Sequence, residues 1–297
     1  MRIIFMGSGY FALPSLKALQ ANNYNIVSIY STSTKINPVE NFSSNYNIPL
    51  FLPNILTNTE VLSQFKNLHP DIVVVASYGK IIPNNYLHLS KLGFINMHPS
   101  SLPKWRGAAP IQRTIMAGEN KTSVSIIQVS NKLDSGNIIL KEDIEFDNQT
   151  TGRELLSYTA NIGAKLLIKV LQQYKNNQIK TQPQSKFGIT YATKISSSER
   201  RINFSLHVKQ VHNLIRALSL DTSAYFIHNN NIIKIIKSDF QLKTHAFDCG
   251  MIISNKMEIA CKDGILKPIL VQREGKKILQ TEDFLRGYAV SLNTLLQ

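Results

Sequence analysis

The chain has 297 residues, 43% of them hydrophobic and 18% charged, enough apolar content to bury a core and to exclude wholesale disorder. A length near 300 predicts two domains. The formal net charge of +14 raises the expectation of a polyanionic partner, such as nucleic acid, an anionic membrane or a phosphate-rich substrate. Two cysteines, Cys249 and Cys261, exclude a disulfide framework and fit a reduced cytoplasm. No apolar run is long enough to span a membrane, and the glycines at 7 and 9 end the first apolar run too early for a signal peptide. The seven histidines are scattered, with none at metal-ligand spacing, so no metal is expected.

In chain order, Ile3 to Met6 reads as a buried strand. Pro14 then opens a helix carrying Leu13, Leu16 and Leu19. Ile26 to Tyr30 is a second strand, and Ser31 to Asn47 is polar and irregular. Thr57-Asn58-Thr59-Glu60 has the form of a capping box ahead of Val61, Leu62, Phe65 and Leu68. Ile72 to Ala76 and Gly93 to His98 read as strands, Pro110 to Ala117 as a helix, and Ser123 to Val129 and Ile138 to Leu140 as strands. Gly152 to Gln173 is a long amphipathic helix. This alternation predicts an α/β domain, a doubly wound parallel sheet with helices on both faces, over residues 1–182. Residues 183–202 are polar and weakly periodic and read as a linker. Residues 203–297 begin with a helix over Val208 to Leu218. Short strands follow at Ala224 to Ile227, Ile232 to Ile236, Met251 to Ile253, Glu258 to Cys261 and Lys267 to Gln272, which suggests a small β-barrel domain. Residues 1–183 and residues 184–297 each carry a surplus of +7, so the shorter part is the more densely basic.

Gly7-Ser8-Gly9-Tyr10-Phe11-Ala12 matches the dinucleotide fingerprint between a strand and a helix. The acid that should follow about 20 residues on is missing, since the first acidic residue is Glu40. A nicotinamide cofactor is therefore not expected. The denser signal runs from Ile95 to Arg113. Asn96 and His98 stand two apart at the end of a strand and so face one way. An amide donor beside an imidazole can hold an oxyanion and move a proton. Two prolines, Pro99 and Pro103, stiffen the following loop, where Lys104, Arg106 and Arg113 supply charge. Downstream, Leu133-Asp134-Ser135-Gly136 places a carboxylate in a turn, able to orient the histidine or deprotonate a nucleophile.

The ordered set N-x-H, S-x-L-P-x-W-R-G-A-A-P-I-Q-R and L-D-S-G resembles the methionyl-tRNA formyltransferase family. The resemblance extends from Met1 through Val74-Val75-Ala76-Ser77-Tyr78-Gly79 and Thr190-Tyr191-Ala192-Thr193-Lys194 to Gly275-Lys276-Lys277. It implies a Rossmann-like catalytic domain followed by an OB-like tRNA-binding domain. It implies formyl transfer from 10-formyltetrahydrofolate to the α-amine of methionyl initiator tRNA, without a metal, by a cytoplasmic monomer with no membrane partner. It assigns catalysis to Asn96, His98 and Asp134, folate binding to Ser100, Ser101, Leu102 and Pro103, and a wall for the methionine side chain to Phe11. Lys194, Arg201, Lys276 and Lys277 become candidate tRNA contacts, with Arg200, Lys267, Arg273 and Arg286 beside them. The chain departs from the family pattern in three places. The stretch Ser31 to Asn47, where a longer basic loop is usual, holds only Lys35 as a base. Ser101 stands where leucine is usual, and Ser219-Leu220-Asp221-Thr222 replaces the common N-P-W-P.

Overall fold

The computed structural model describes residues 1–32, 37–219 and 222–296; Lys35, Leu220 and Asp221 lie outside the described residues. Two compact units form, one from Met1–Pro110, Lys121–Ile144 and Leu156–Ala192, the other from Ile111–Asn120, Glu145–Leu155 and Thr193–Gln297.

The elements up to residue 192 are, in order, β1 (Arg2–Gly7), α1 (Gly9–Ala21), β2 (Asn25–Tyr30), α2 (Pro38–Asn45), β3 (Leu50–Phe51), α3 (Thr59–Asn67), β4 (Ile72–Ala76), β5 (Phe94–His98), β6 (Arg106–Gly107), α4 (Pro110–Met116), β7 (Lys121–Gln128), β8 (Ile138–Glu145), α5 (Gly152–Lys175) and β9 (Tyr191–Ala192). Seven strands form one sheet in the order β3-β2-β1-β4-β5-β7-β8. It is parallel from β3 to β5 and turns antiparallel where β7 joins β5, with His98 opposite Ser125. Alternation along the central strands builds two cores, one on each face. Ile3, Phe5, Val74, Ile95 and Met97 pack on one side; Ile4, Met6, Val73, Val75 and Phe94 pack on the other. This is the Rossmann-like half that the sequence implied.

Three local expectations are corrected. The first helix begins at Gly9, so Pro14 lies inside it rather than in its first turn. The chain enters that helix straight from the buried strand through Ser8, which stays extended as its N-cap. The stretch Ser31 to Asn47 is not wholly irregular, because Pro38–Asn45 is helical. Asn37 caps it, accepting from Val39 N at 3.2 Å, Pro38 occupies the first turn, and Val39 and Phe42 are buried. The third helix is capped by Asn58, not by Thr57: its Oδ1 accepts from Glu60 N at 2.7 Å. Within the stretch read as a linker, Tyr191–Ala192 pairs with Arg106–Gly107.

The second unit continues with α6 (Val208–Ala217), β10 (Ala224–His228), β11 (Asn231–Leu242), β12 (Ile259–Cys261), β13 (Gly264–Arg273), β14 (Leu279–Gln280) and α7 (Thr281–Gly287). Its antiparallel sheet has the order β10-β11-β13-β12, with β14 paired to β13, and forms a half-barrel. The β10–β11 hairpin turns on Asn229 and Asn230, both left-handed at φ 48° and 60°, as a two-residue turn of this twist requires. Asp263, in the β12–β13 turn, accepts from Val208 N at 2.8 Å and lies 3.0 Å from His207 Nδ1, so the start of α6 is tied to the sheet. Met251 to Ile253, expected as a strand, makes only isolated bridges from Met251 to Leu295 and from Ile252 to Ile259. Among the described residues no helix is long and apolar enough to cross a membrane.

Candidate active site

The site grows from the carboxyl end of β5. Ile95 and Met97 point into one core, which leaves Asn96 and His98 on the other face of the strand. His98 is 4% exposed. The loop that follows is tied down from both ends. Ser100 Oγ donates to Lys104 O at 2.7 Å, and Ser125 Oγ donates to Ser100 O at 3.2 Å. Ser101 Oγ lies 2.7 Å from Ser123 Oγ, which donates to Asp143 at 2.7 Å. That bond from Ser123 is the main reason the Asp143 carboxyl titrates below its ordinary range. Leu102 is buried and Pro103 half-buried, so this loop is a fixed wall and not a flexible lid.

Asp134 comes to the same place from the turn before β8. Its Oδ1 accepts from Asn96 Nδ2 at 3.2 Å, and its Oδ2 accepts from Gly107 N at 2.8 Å. Oδ2 also lies 3.5 Å from His98 Nδ1, an ion-pair distance too long for a hydrogen bond in good geometry. The other ring nitrogen, Nε2, is 2.9 Å from Trp105 O. A carbonyl oxygen only accepts, so Nε2 carries a hydrogen. The imidazole thus donates from Nε2 to Trp105 O and turns Nδ1 toward the Asp134 carboxylate.

Two residues that the sequence did not single out for this place hold Asp134. Gln184 donates through Nε2 to Asp134 O and to Gly136 O, both at 2.8 Å. Its Oε1 in turn accepts from Arg106 Nη2 at 2.7 Å and Nε at 3.2 Å. Arg106 is 8% exposed. In the sequence, Arg106 reads as loop charge and Gln184 falls within a linker. Gln184 carries no motif, and its partners lie 48 to 78 positions away in the chain. Glycine at 136 is obligatory, since a Cβ there would sit 1.7 Å from Gln128 O. That gives Asp134-Ser135-Gly136 its sequence form. Asp134 itself is left-handed, at φ 48°.

The remaining sequence candidates stand elsewhere. Phe11 is 4% exposed and packs in the core with Leu16 and Leu19. Lys194, Arg201, Lys276 and Lys277 belong to the second unit, and all four are exposed. Lys267 is engaged by Gln241 at 3.1 Å, and Arg286 by Asp283 at 2.9 Å. Arg113 forks onto Glu199, at 2.5 and 3.2 Å, and this bond chiefly pulls the Glu199 carboxyl down to about 2. Among the described residues no group of three His, Cys, Asp or Glu side chains could hold a metal ion. A cleft lined by Leu140, Lys141, Glu142, Leu166, Lys169 and Gln173 shares no residue with the Asn96–His98–Asp134 corner.

Comparison with known proteins agrees with this architecture. Residues 1–171 match the family described as formyl transferase, and residues 194–289 match the formyl transferase C-terminal domain. Methionyl-tRNA formyltransferase of Rickettsia prowazekii (strain Madrid E) is 39% identical over 306 residues, covering 100% of both chains. That of Rickettsia africae (strain ESF-5) is 38% identical with the same coverage. Among solved structures, an N-formyltransferase from Helicobacter canadensis, in complex with folinic acid and dTDP-3-aminofucose, superposes with a TM-score of 0.69 at 21% identity, covering 90% of this chain and 98% of its own. Methionyl-tRNA formyltransferase from Clostridium thermocellum gives 0.60 at 18% identity, covering 81% and 94%. These last two likenesses establish the fold. Both domains match and the relatives are full-length, so the chain belongs to the methionyl-tRNA formyltransferase family.

Proposed function

We propose that the chain transfers the formyl group of 10-formyltetrahydrofolate to the α-amine of methionyl initiator tRNA through a tetrahedral intermediate. The observation that carries this reading is the convergence of Asn96, His98 and Gly107 N–H on the two oxygens of Asp134. The amine attacks the formyl carbon, a C–N bond forms, and the carbonyl oxygen becomes an oxyanion. Asn96 Nδ2 has a second hydrogen beyond the one given to Asp134, and donates it to that oxygen. His98 stands beside the carboxylate, and its Nε2–H exchanges the Trp105 carbonyl for the oxyanion. Asp134 accepts the amine proton through water. The bond from N10 to the formyl carbon then breaks, N10 takes up the proton, and tetrahydrofolate leaves.

Ser100 to Pro103 supply the donor's wall mainly through backbone, because the Ser100 hydroxyl is committed to Lys104 O. The folinic acid named for the Helicobacter canadensis structure supports a folate-type donor here. Residues 1–182 carry the chemistry and residues 203–297, with Lys194 and Arg201 before or at their start, bind the tRNA. The enzyme acts as a cytoplasmic monomer. Incubation with 10-formyltetrahydrofolate, methionyl initiator tRNA and a competing dTDP-amino sugar tests the reading. Formyl label on the methionine is expected; label on the sugar alone overturns it.

A further inference from the structure

The segment that closes the first unit presents apolar side chains outward beside the proposed catalytic loop. Phe187 is 87% exposed, Tyr191 61% and Ile189 38%. None of the three packs in a hydrophobic core of that unit. A single exposed ring needs no explanation. Two rings within five residues, fastened to a catalytic loop, are a different case. Thr190 is the fastening: its carbonyl accepts from Arg106 N at 3.0 Å, and its Oγ1 accepts from Trp105 N at 2.9 Å. Ala192 O accepts from Ala108 N at 2.8 Å, and Tyr191 stands opposite Arg106 in the β6–β9 pair. The next residue, Gly107, gives its N–H to Asp134. A Cβ at Gly107 would sit 2.7 Å from Ala192 O, so the two backbones pack at glycine distance. The rings therefore ride on the backbone that fixes the carboxylate. Lys186, exposed beside Phe187, forms no ion pair among the described residues.

We propose that Phe187 and Tyr191 form a stacking platform for unpaired bases at the 3′ end of the RNA substrate, with Lys186 meeting the adjoining phosphates. The proposal rests on the reading that the accepting amine is carried by tRNA. That amine sits at the end of a short single strand, whose bases must be steadied for the amine to reach Asn96 and His98. Stacking on aromatic rings does this without reading sequence, because every base has a π-face. A ring this exposed leaves its face open to a base. A cation next to an aromatic ring is the pairing that single-strand sites use.

The test places 2-aminopurine at an unpaired 3′-proximal position of methionyl initiator tRNA and follows its fluorescence on titration with the full chain. The wild-type chain is expected to quench the probe. The Phe187→Ala, Tyr191→Ala double variant is expected to lose the quench and raise KM for tRNA by roughly tenfold or more for each ring. The effect falls on KM for tRNA and leaves KM for the folate donor alone. Phe187→Tyr and Tyr191→Phe, which keep an aromatic face, retain the quench. Both positions are surface-exposed, and circular dichroism with donor binding verifies that the variants fold. An unchanged quench and unchanged KM in the double variant overturn the platform. A rise in KM for the donor alone assigns the rings to folate and also overturns it. Wild-type protein that formylates the tRNA without quenching the probe defeats the platform only. Wild-type protein that neither binds nor formylates the tRNA defeats the functional reading with it.

Discussion

The polar corner at the end of β5 and the basic surface of the second unit are built on opposite plans. In the corner, Asp134 is held at both oxygens and at its carbonyl by Asn96, Gly107 and Gln184, and His98 is almost wholly buried. In the second unit, Lys194, Arg201, Lys276 and Lys277 are exposed, and none forms an ion pair among the described residues. The proposed oxyanion chemistry would need donors fixed before the reaction begins, which fits the redundant hydrogen bonds of the first plan. The proposed affinity for a phosphate backbone would need only mobile charge near the surface, which fits the exposed side chains of the second plan. Substitutions in the two regions should therefore fail differently.

The largest effect is expected at His98. His98→Ala should lower kcat by about 10³-fold, within the range of a lost acid–base or oxyanion group, while tRNA affinity measured by filter binding holds. Near-normal turnover would remove His98 from the mechanism. Gln184→Ala should cost less, at about tenfold in kcat, since it frees the Asp134 turn without touching the reacting atoms. A change confined to KM for tRNA would contradict that placement.

Much of the first region was legible in sequence and much of its support was not. N-x-H at a strand end gave the facing of Asn96 and His98, because strand alternation is local. Asp-Ser-Gly gave the turn, and the clash at Gly136 explains why. Gln184 was invisible because its partners, Asp134 and Arg106, are distant in the chain and a lone glutamine carries no periodicity. The helix over Pro38–Asn45 was readable from Asn37-Pro38-Val39-Glu40, a cap followed by proline and an acid, but the polar surroundings of that stretch hid it. In the second unit, Asn229-Asn230-Asn231 between two short apolar runs is a turn signal, and the β10–β11 hairpin turns there. The helix over Thr281–Gly287 has seven residues and only Thr281 and Phe284 buried, too little pattern to read.

A smaller effect is expected on the basic surface. Lys276→Ala with Lys277→Ala should weaken tRNA binding a few-fold, with the loss shrinking as salt rises, and should flatten the log–log salt dependence by up to about one per lysine. An unchanged salt slope would mean that neither meets a phosphate. The smallest is a pH effect on stability. The Glu199 carboxyl is held down to about 2 by Arg113, against an ordinary glutamate near 4.5. A lowered folded-state value stabilises the fold above the ordinary range, and that contribution is lost as pH falls from about 4.5 toward 2. Arg113→Ala should thus lose less stability than wild type over that interval, as followed by thermal melts at stepped pH. Parallel losses would deny the pair any part in acid sensitivity.

The central claim is that the held carboxylate serves the chemical step and not the binding of RNA. Single-turnover transfer from 10-formyltetrahydrofolate to saturating methionyl initiator tRNA, by wild type and by Asp134→Asn, tests it most directly. The variant keeps the shape and loses the charge. Its rate should fall by about 10³-fold with tRNA affinity unchanged. A rate within a few-fold of wild type, or a defect that disappears at higher tRNA concentration, would contradict the account.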